Sequence, residues 1–368
     1  MPQPGCFVDG RPVSLAEAAH AAAEIVAASR LPVFLVGACD VAGARAAIRL
    51  AERAGGVIDH SESAGALREL DVMRSFGKFI VTPNEARQRA DTVLLVGSGL
   101  TKLWPEMVER LGLAELPRLA LQPARRQILW IGTDDGDEES LAGLASHTIR
   151  AREEMLPGLI AALRACTARR HVLLPSSDKA ALDAIAEALQ SARFGLAVYS
   201  PASLDTLASE MLAGLVADLN RTTRFSTLSL GGSGNAETLM QTAGWMTGFP
   251  VRTGFGRGYP EHDPWRFDAM RLVASGEADA LVWIASDAAE LPPWAASVPL
   301  VTLSTAGHTS SAAKVQIRIG QHGRDHDSVD FARETQSLAW RQASDKSDLP
   351  GAACVIDAIT ASLTREAA

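Results

Sequence analysis

A chain of 368 residues with 47% hydrophobic and 21% charged side chains has the make-up of a soluble globular protein, long enough to build two cores. Its formal net charge of −8 is spread without long like-charge runs, which excludes the basic face that a nucleic-acid binder or a membrane-surface protein needs. Cys6, Cys39, Cys166 and Cys354 lie far apart with no C-x-x-C, so they write no zinc ribbon, iron–sulfur spacing or disulfide framework, and reduced thiols in a cytoplasm are the expectation. The opening "MPQPGCFVDG" shows no export signal, and no apolar run reaches the roughly 18 residues of a spanning helix.

Helical and strand signals alternate from the start. Ser14 and Glu17 have capping-box spacing ahead of an Ala-rich stretch, which predicts a helix from Leu15 to about Ser29. "PVFLVG" from Pro32 is a short apolar run ending in Gly, the mark of a strand buried on both faces. Asp40 caps the next predicted helix, and "VID" from Val57 is the next strand. Thr82 and Glu85, with Pro83 between them, repeat the helix-start signal before "DTVLLVGSG". The runs "QILWIG", "FGLAVYS", "STLSLGG", "DALVWIAS" and "LVTLS" continue the rhythm between amphipathic helices. This predicts parallel sheets covered by helices, a doubly wound α/β architecture. "GTDDGDEESLAG" and "RTGFGRGYPEHDPW" lack periodicity and read as surface loops.

In such folds ligands bind beyond the carboxyl ends of strands. "VIDHSESAG" at Val57–Gly65 places Asp59, His60, Ser61, Glu62 and Ser63 there, the groups of a nucleophile with its base, although neighbours on an extended chain point in alternating directions. Three loops are Gly-rich. "GSGLTK" lacks the third Gly of a dinucleotide fingerprint and the ending of a P-loop, "GGSGNAET" opens a helix whose free N–H groups can hold an anion, and "GFGRGYP" follows no clear strand. Tight turns are the plainer use of these glycines. "QHGRDHDSVD" offers His322, Asp325, His326 and Asp327, an H-x3-H pair with carboxylates, set against a solvated turn-like segment. Glu261, His262 and Asp263 lie between two prolines in a rigid exposed connection, with Trp265 anchoring the helix that follows; His20 and His147 read as ordinary surface or helix residues.

Taken as a set, "TPNEARQRADTVLLVGSG", "GNAETLMQTAGWMTGFP", "GEADALVWIASD" and "TSSAAKVQIRIG" resemble the molybdopterin and tungstopterin oxidoreductases, most closely the B-subunit family of formylmethanofuran dehydrogenase. The likeness covers about Val13 to Ala339. Its most specific parts are Thr82–Gly97, similar to the family's T-x-x-E-x-x-x-x-A-D-x-x-x-x-x-G, and Gly244–Pro250, similar to its W-x-T-G-Y-P turn. "ASD" at Ala285–Asp287 resembles a loop that reaches a pterin dinucleotide in the family.

The resemblance also shows what is missing. Active members of the family begin with a Cys-rich cluster-binding segment and carry a Cys or selenocysteine metal ligand just after the second strand; here the first holds one Cys and the second place is "VIDHSESAG". A hydroxyl or carboxylate is a poor substitute for a soft ligand to molybdenum or tungsten. The pterin-phosphate loops of the family are replaced, and Asp134, Asp135 and Asp137 would repel a pyrophosphate. This combination is similar to the B subunits of bacterial formyltransferase/hydrolase complexes, in which formaldehyde-level carbon leaves as formate.

The resemblance implies two α/β domains, residues 1–60 with 191–368 and an inserted 61–190, without the iron–sulfur domain and without the C-terminal barrel domain of the larger enzymes. It implies a structural subunit with no catalytic, metal or cofactor-binding residue of its own and no redox cofactor. The partners it implies are an amidohydrolase-like subunit, a formyltransferase subunit and the C subunit. Two other readings stand beside it: an autonomous hydrolase using Asp59, His60 or Ser61, and a module that holds a nucleotide or pterin fragment at "GGSGNAET".

Overall fold

The computed structural model describes residues 5–119, 125–132, 141, 143–173, 176–231, 235–305 and 312–363. It divides into two compact units. One comprises Met1–Ser63, Ser233–Ala332 and Ser337–Ala368; the other comprises Ala64–Gly232 and Arg333–Gln336.

In chain order the strands are β1 (Cys6–Val8), β2 (Arg11–Pro12), β3 (Pro32–Ala38), β4 (Val57–His60), β5 (Thr92–Val96), β6 (Gln127–Gly132), β7 (His147–Arg150), β8 (Gly195–Tyr199), β9 (Phe225–Ser229), β10 (Thr253–Gly254), β11 (Glu261–His262), β12 (Ala280–Ala285), β13 (Leu300–Ser304), β14 (Val315–Arg318), β15 (Ser328–Ala332) and β16 (Ser337–Arg341). The described helices are α1 (Leu15–Ala28), α2 (Val41–Ala54), α3 (Ser63–Phe76), α4 (Pro83–Arg89), α5 (Leu100–Leu103), α6 (Met107–Arg110), α7 (Leu156–Thr167), α8 (Ser176–Ser191), α9 (Thr206–Leu219), α10 (Ala236–Thr247), α11 (Ala269–Ala274) and α12 (Ala352–Ser362). Among the described residues no helix is long and apolar enough to cross a membrane.

The first unit holds a nine-stranded sheet in the order β11-β10-β4-β3-β12-β13-β14-β1-β2, with β15 and β16 as a separate hairpin. Its five central strands run parallel, while β10, β11, β1 and β2 add antiparallel edges. Strand β3 is buried throughout because it serves two cores by alternation. Phe34 and Val36 pack with the Ala-rich faces of α1 and α2, whereas Val33 and Leu35 pack with Trp283 and α11. The expected start signals are present: Ser14 and Glu17 form a reciprocal capping box, and Asp40 accepts the Gly43 N–H at 2.8 Å. Thr82 accepts the Glu85 N–H at 3.2 Å, while the Glu85 carboxylate lies 3.6 Å from Arg89.

A half-buried carboxylate fixes the entry to β3. Asp279 accepts from the Ser29 hydroxyl and from the Arg30 and Leu31 N–H groups. Burial alone would raise its pKa, but these bonds hold the carboxyl well below the usual range. Asp279→Asn is therefore expected to cost about 1–3 kcal/mol in a denaturant titration near neutral pH, the scale of charge-assisted bonds lost from a shielded site.

The second unit carries an all-parallel sheet, β7-β6-β5-β8-β9. The division differs from the sequence-based boundary at 190/191. Strand β8 bonds to β5 and β9 bonds to β8, so residues 191–232 belong with the inserted unit, whereas the first boundary falls at 63/64 beside the expected 60/61. Alternating α/β sequence looks the same on either side of such a junction; only strand pairing tells them apart. "RTGFGRGYPEHDPW", expected as a surface loop, contains β10 and β11 and a buried Thr253. Two-residue strands are too short to leave a period-two signal.

Candidate functional site

In the first unit the chain leaves β3 for β4 on one side and later returns to β12 on the other, so the strand order reverses at β3. The carboxyl ends of these strands are where a doubly wound fold presents its chemistry. "VIDHSESAG" is there, at the end of β4, but its side chains do not converge.

Asp59 is 2% exposed. It accepts the Ala269 N–H at 3.0 Å and its neighbour's own N–H, that of His60, at 2.8 Å, and it lies 3.6 Å from the Arg252 Nε. Burial, the dominant influence, lifts its pKa to about 6 despite Arg252 and the bonds from Ala269, Ser63 and His60. Arg252 is a hub. Its Nε donates to Ser63 Oγ at 3.1 Å, its Nη1 to the Pro264 carbonyl at 2.5 Å, and its Nη2 meets the Asp268 carboxylate at 2.5 Å. Asp268 in turn caps α11 through the Arg271 N–H. Arg252 achieves this from a left-handed backbone, φ +59°, a conformation that costs a non-glycine residue about 1–2 kcal/mol.

The rest of the run faces elsewhere. His60 is buried and its Nδ1 accepts the Glu62 N–H at 3.0 Å. Ser61 is exposed and spends its N–H on the Val36 carbonyl. Asp59, His60 and Ser61 thus form no relay; Asp59 and Ser63 belong to the Arg252 ion cluster. Sequence reading missed Arg252 and Asp268. Asp268 had a legible signal as an N-cap before the apolar "AMRLV", but nothing marks Arg252.

A second polar line lies at the end of β12. Ser286 Oγ and Ser286 O lie 2.8 and 3.0 Å from His322 Nδ1. On the other side of the ring Nε2 lies 3.9 Å from the Asp330 carboxylate, which also meets Arg341 at 3.2 Å. With Ser286 1% exposed, no substrate reaches its hydroxyl, and the line works as an internal strut from β12 to the β15–β16 hairpin. His322 is therefore not in the solvated loop that the sequence suggests, and the side chains of its H-x3-H segment point to separate partners. The His326 ring lies against Gly320 and Gly351, Asp325 accepts the Gln321 N–H, and Asp327 accepts the Ala343 N–H. Among the described residues no three His, Cys, Asp or Glu side chains are grouped to hold a metal ion.

The remaining candidates are quieter. Gly97 and Gly99 of "GSGLTK" both have positive φ, and a Cβ on Gly97 would stand 2.7 Å from Ser203 Oγ, the requirement of a tight turn. Residues 232–234 of "GGSGNAET" and the segment with Asp134, Asp135 and Asp137 lie outside the described residues. Asp263 accepts the Trp265 and Arg266 N–H groups, His262 stacks on Phe249, and Trp265 carries Arg271 over its ring at 4.5 Å. His20 pairs with Glu24 on an exposed helix face. In the second unit Tyr199 donates to Glu69 at 2.7 Å beside Lys78; burial, then Glu69, push the phenol well above its usual value, so it stays protonated.

A largely parallel sheet with polar side chains gathered at its strand ends, and a second, all-parallel unit inserted after β4, make this a two-unit α/β chain. No protein-family model matches it. It is 33% identical over 349 residues, 94% of its length and 92% of the relative's, to the B subunit of the formyltransferase/hydrolase complex Fhc of Methylorubrum extorquens. A crystal structure of the formyltransferase/hydrolase complex FhcABCD from the same organism, in complex with methylofuran, contains a chain that matches with a TM-score of 0.87 and 32% identity, over 97% of this chain and 98% of that one. The chain belongs to the B-subunit family of formyltransferase/hydrolase complexes. It is also 28% identical, over 70% of its length and 61% of the relative's, to the B subunit of the tungsten-containing formylmethanofuran dehydrogenase 2 of Methanocaldococcus jannaschii.

Proposed function

We propose that this chain is a structural subunit of a cytoplasmic formyltransferase/hydrolase complex and carries no active site of its own. In this reading it keeps the two α/β domains of the molybdopterin-oxidoreductase type without the iron–sulfur and barrel domains. It assembles with an amidohydrolase-like subunit, a formyltransferase subunit and the C subunit; the solved structure that it matches is that of a formyltransferase/hydrolase complex, FhcABCD.

The supporting observation is the Arg252 cluster. Where active relatives of the resemblance carry a thiolate or selenolate metal ligand, this chain has Asp59 and Ser63 bound to Arg252, which is bound to Asp268. The thiol at the end of the neighbouring strand, Cys39, does not fit the role: burial first, then Asp40 and Asp287, push it well above its usual value and oppose the thiolate a soft metal needs. The residues present do not suit a molybdenum or tungsten ion.

Two results are expected. The complex purified from its host with His60→Ala or Ser61→Ala in this chain should transfer and hydrolyse formyl groups within about twofold of the native rate. Loss of hydrolysis in either variant at unchanged stoichiometry would revive the hydrolase reading. The purified chain should contain no molybdenum, tungsten or iron above background in elemental analysis; a stoichiometric metal would overturn the proposal.

Exposed apolar side chains favour a partner-bound role over a solitary one. Met73, Phe76, Phe79 and Ile80 are exposed within a few residues in the second unit, as are Trp245, Tyr259, Trp265 and Met270 in the first.

A further inference from the structure

The second unit holds a cleft of about 820 Å³ between the carboxyl ends of α7 and α9, lined by Arg164, Arg169, Arg170, Arg221 and Asp218 over an alanine and leucine floor. We propose that this cleft is a binding site for a small polyanion, a ligand carrying two or more carboxylate or phosphate groups. Its volume lies within the range of small-molecule sites, and none of the motifs that carry the family resemblance lines it.

The bland use of arginine at a helix carboxyl end is to cover the last carbonyls and balance the helix dipole. Here those carbonyls are already taken. In α7 the Arg164, Ala165 and Cys166 carbonyls accept from Thr167 Oγ1 and from the Arg170 and Arg169 N–H groups. In α9 the Val216, Asp218 and Leu219 carbonyls accept from Asn220, Arg221, Thr222 and Thr223. The charge does not balance either. Four guanidinium groups face one carboxylate and two helix ends of about half a negative charge each, which leaves about two positive charges unmatched in a chain that is acidic overall.

Two features fix Arg164 and the backbone at Arg169. Asp218 reaches both Arg164, at 2.6 Å, and Arg221, at 3.8 Å, and so aligns two guanidinium groups on one wall. Arg164 lies so close over Gly214 of α9 that a Cβ there would stand 2.3 Å from its Nη1. Arg169 occupies the left-handed position after α7, φ +54°, with the paired N–H bonds of a Schellman ending. Glycine is the residue that position favours, and arginine is strained there. Among the described residues neither Arg169 nor Arg170 has an ion-pair partner for its side chain. Several planar guanidinium groups lining one cleft suit two-pronged binding of carboxylate or phosphate.

The test uses the full chain at low salt and isothermal titration with citrate, pyrophosphate and, as single-charge control, acetate at matched ionic strength. Citrate or pyrophosphate is expected to bind saturably and acetate not to; which of the two binds tighter assigns carboxylate or phosphate chemistry. Arg169→Gly is the discriminating variant. It relieves the strained turn, so thermal stability should rise while affinity falls about tenfold, a split that a purely structural role would not give. Arg170→Ser should lower affinity by a similar factor at unchanged stability. Absence of saturable binding by either polyanion, equal binding of acetate, or affinity indifferent to both substitutions would overturn the proposal.

Discussion

Replacing Arg252 by Ala is expected to lower folding stability by about 3–5 kcal/mol above pH 6, read as a fall in the denaturant midpoint, because it strands two shielded carboxylates at once. The Arg252 side chain is 14% exposed, Asp59 3% and Asp268 19%, so water cannot replace the lost guanidinium cheaply. The loss reaches three elements: the end of β4 through Asp59, the start of α3 through Ser63, and the cap of α11 through Asp268. Asp59→Asn added to Arg252→Ala should recover part of the deficit, since one uncompensated charge is then gone. Arg252→Gly should be less damaging than Arg252→Ala by about 1 kcal/mol, because glycine accepts φ +59° without strain. A variant as stable as the native chain would mean that the ion cluster is not what holds this corner together.

The second large effect is a pH dependence centred on Asp59. Its folded pKa, about 6, lies above the value of 3.8 for an unperturbed aspartate. The folded chain thus holds this proton more tightly than the unfolded chain does. Its contribution is fully present below about pH 4 and is lost as pH rises through about 6, a total of about 3 kcal/mol. Asp59→Asn cannot ionise and should flatten that limb of the stability curve. The Arg252→Ala deficit should likewise shrink below pH 6, where Asp59 regains its proton. A native curve with no slope between pH 4 and 6 that the substitution removes would contradict the assignment.

Much of the scaffold was legible because its signals are local. The spans of β3, β6, β12 and β13 follow from apolar runs ending in small residues, and α1 and α2 from their caps. What was not legible depends on distant pairing. The junction near 232 is set by hydrogen bonds from β8 to β5, and β10 and β11 are too short to show a period. The site divides the same way. That "VIDHSESAG" would not converge was foreseeable from strand alternation, yet its use was not, since Arg252 lies far along the chain with nothing in its neighbours to mark it. His322 was read as part of a solvated loop and instead lies against Ser286 and Asp330, partners no spacing rule connects.

The central claim, that this chain works as one member of a complex rather than alone, is tested most directly by recovering the tagged protein from its own host, identifying the co-purifying chains by mass and assaying the eluate for formyl transfer and hydrolysis. The account expects an amidohydrolase-like chain and a formyltransferase chain in fixed ratio to it, with both activities in the eluate. Recovery of this chain by itself, with a hydrolytic activity abolished by His60→Ala, would contradict it.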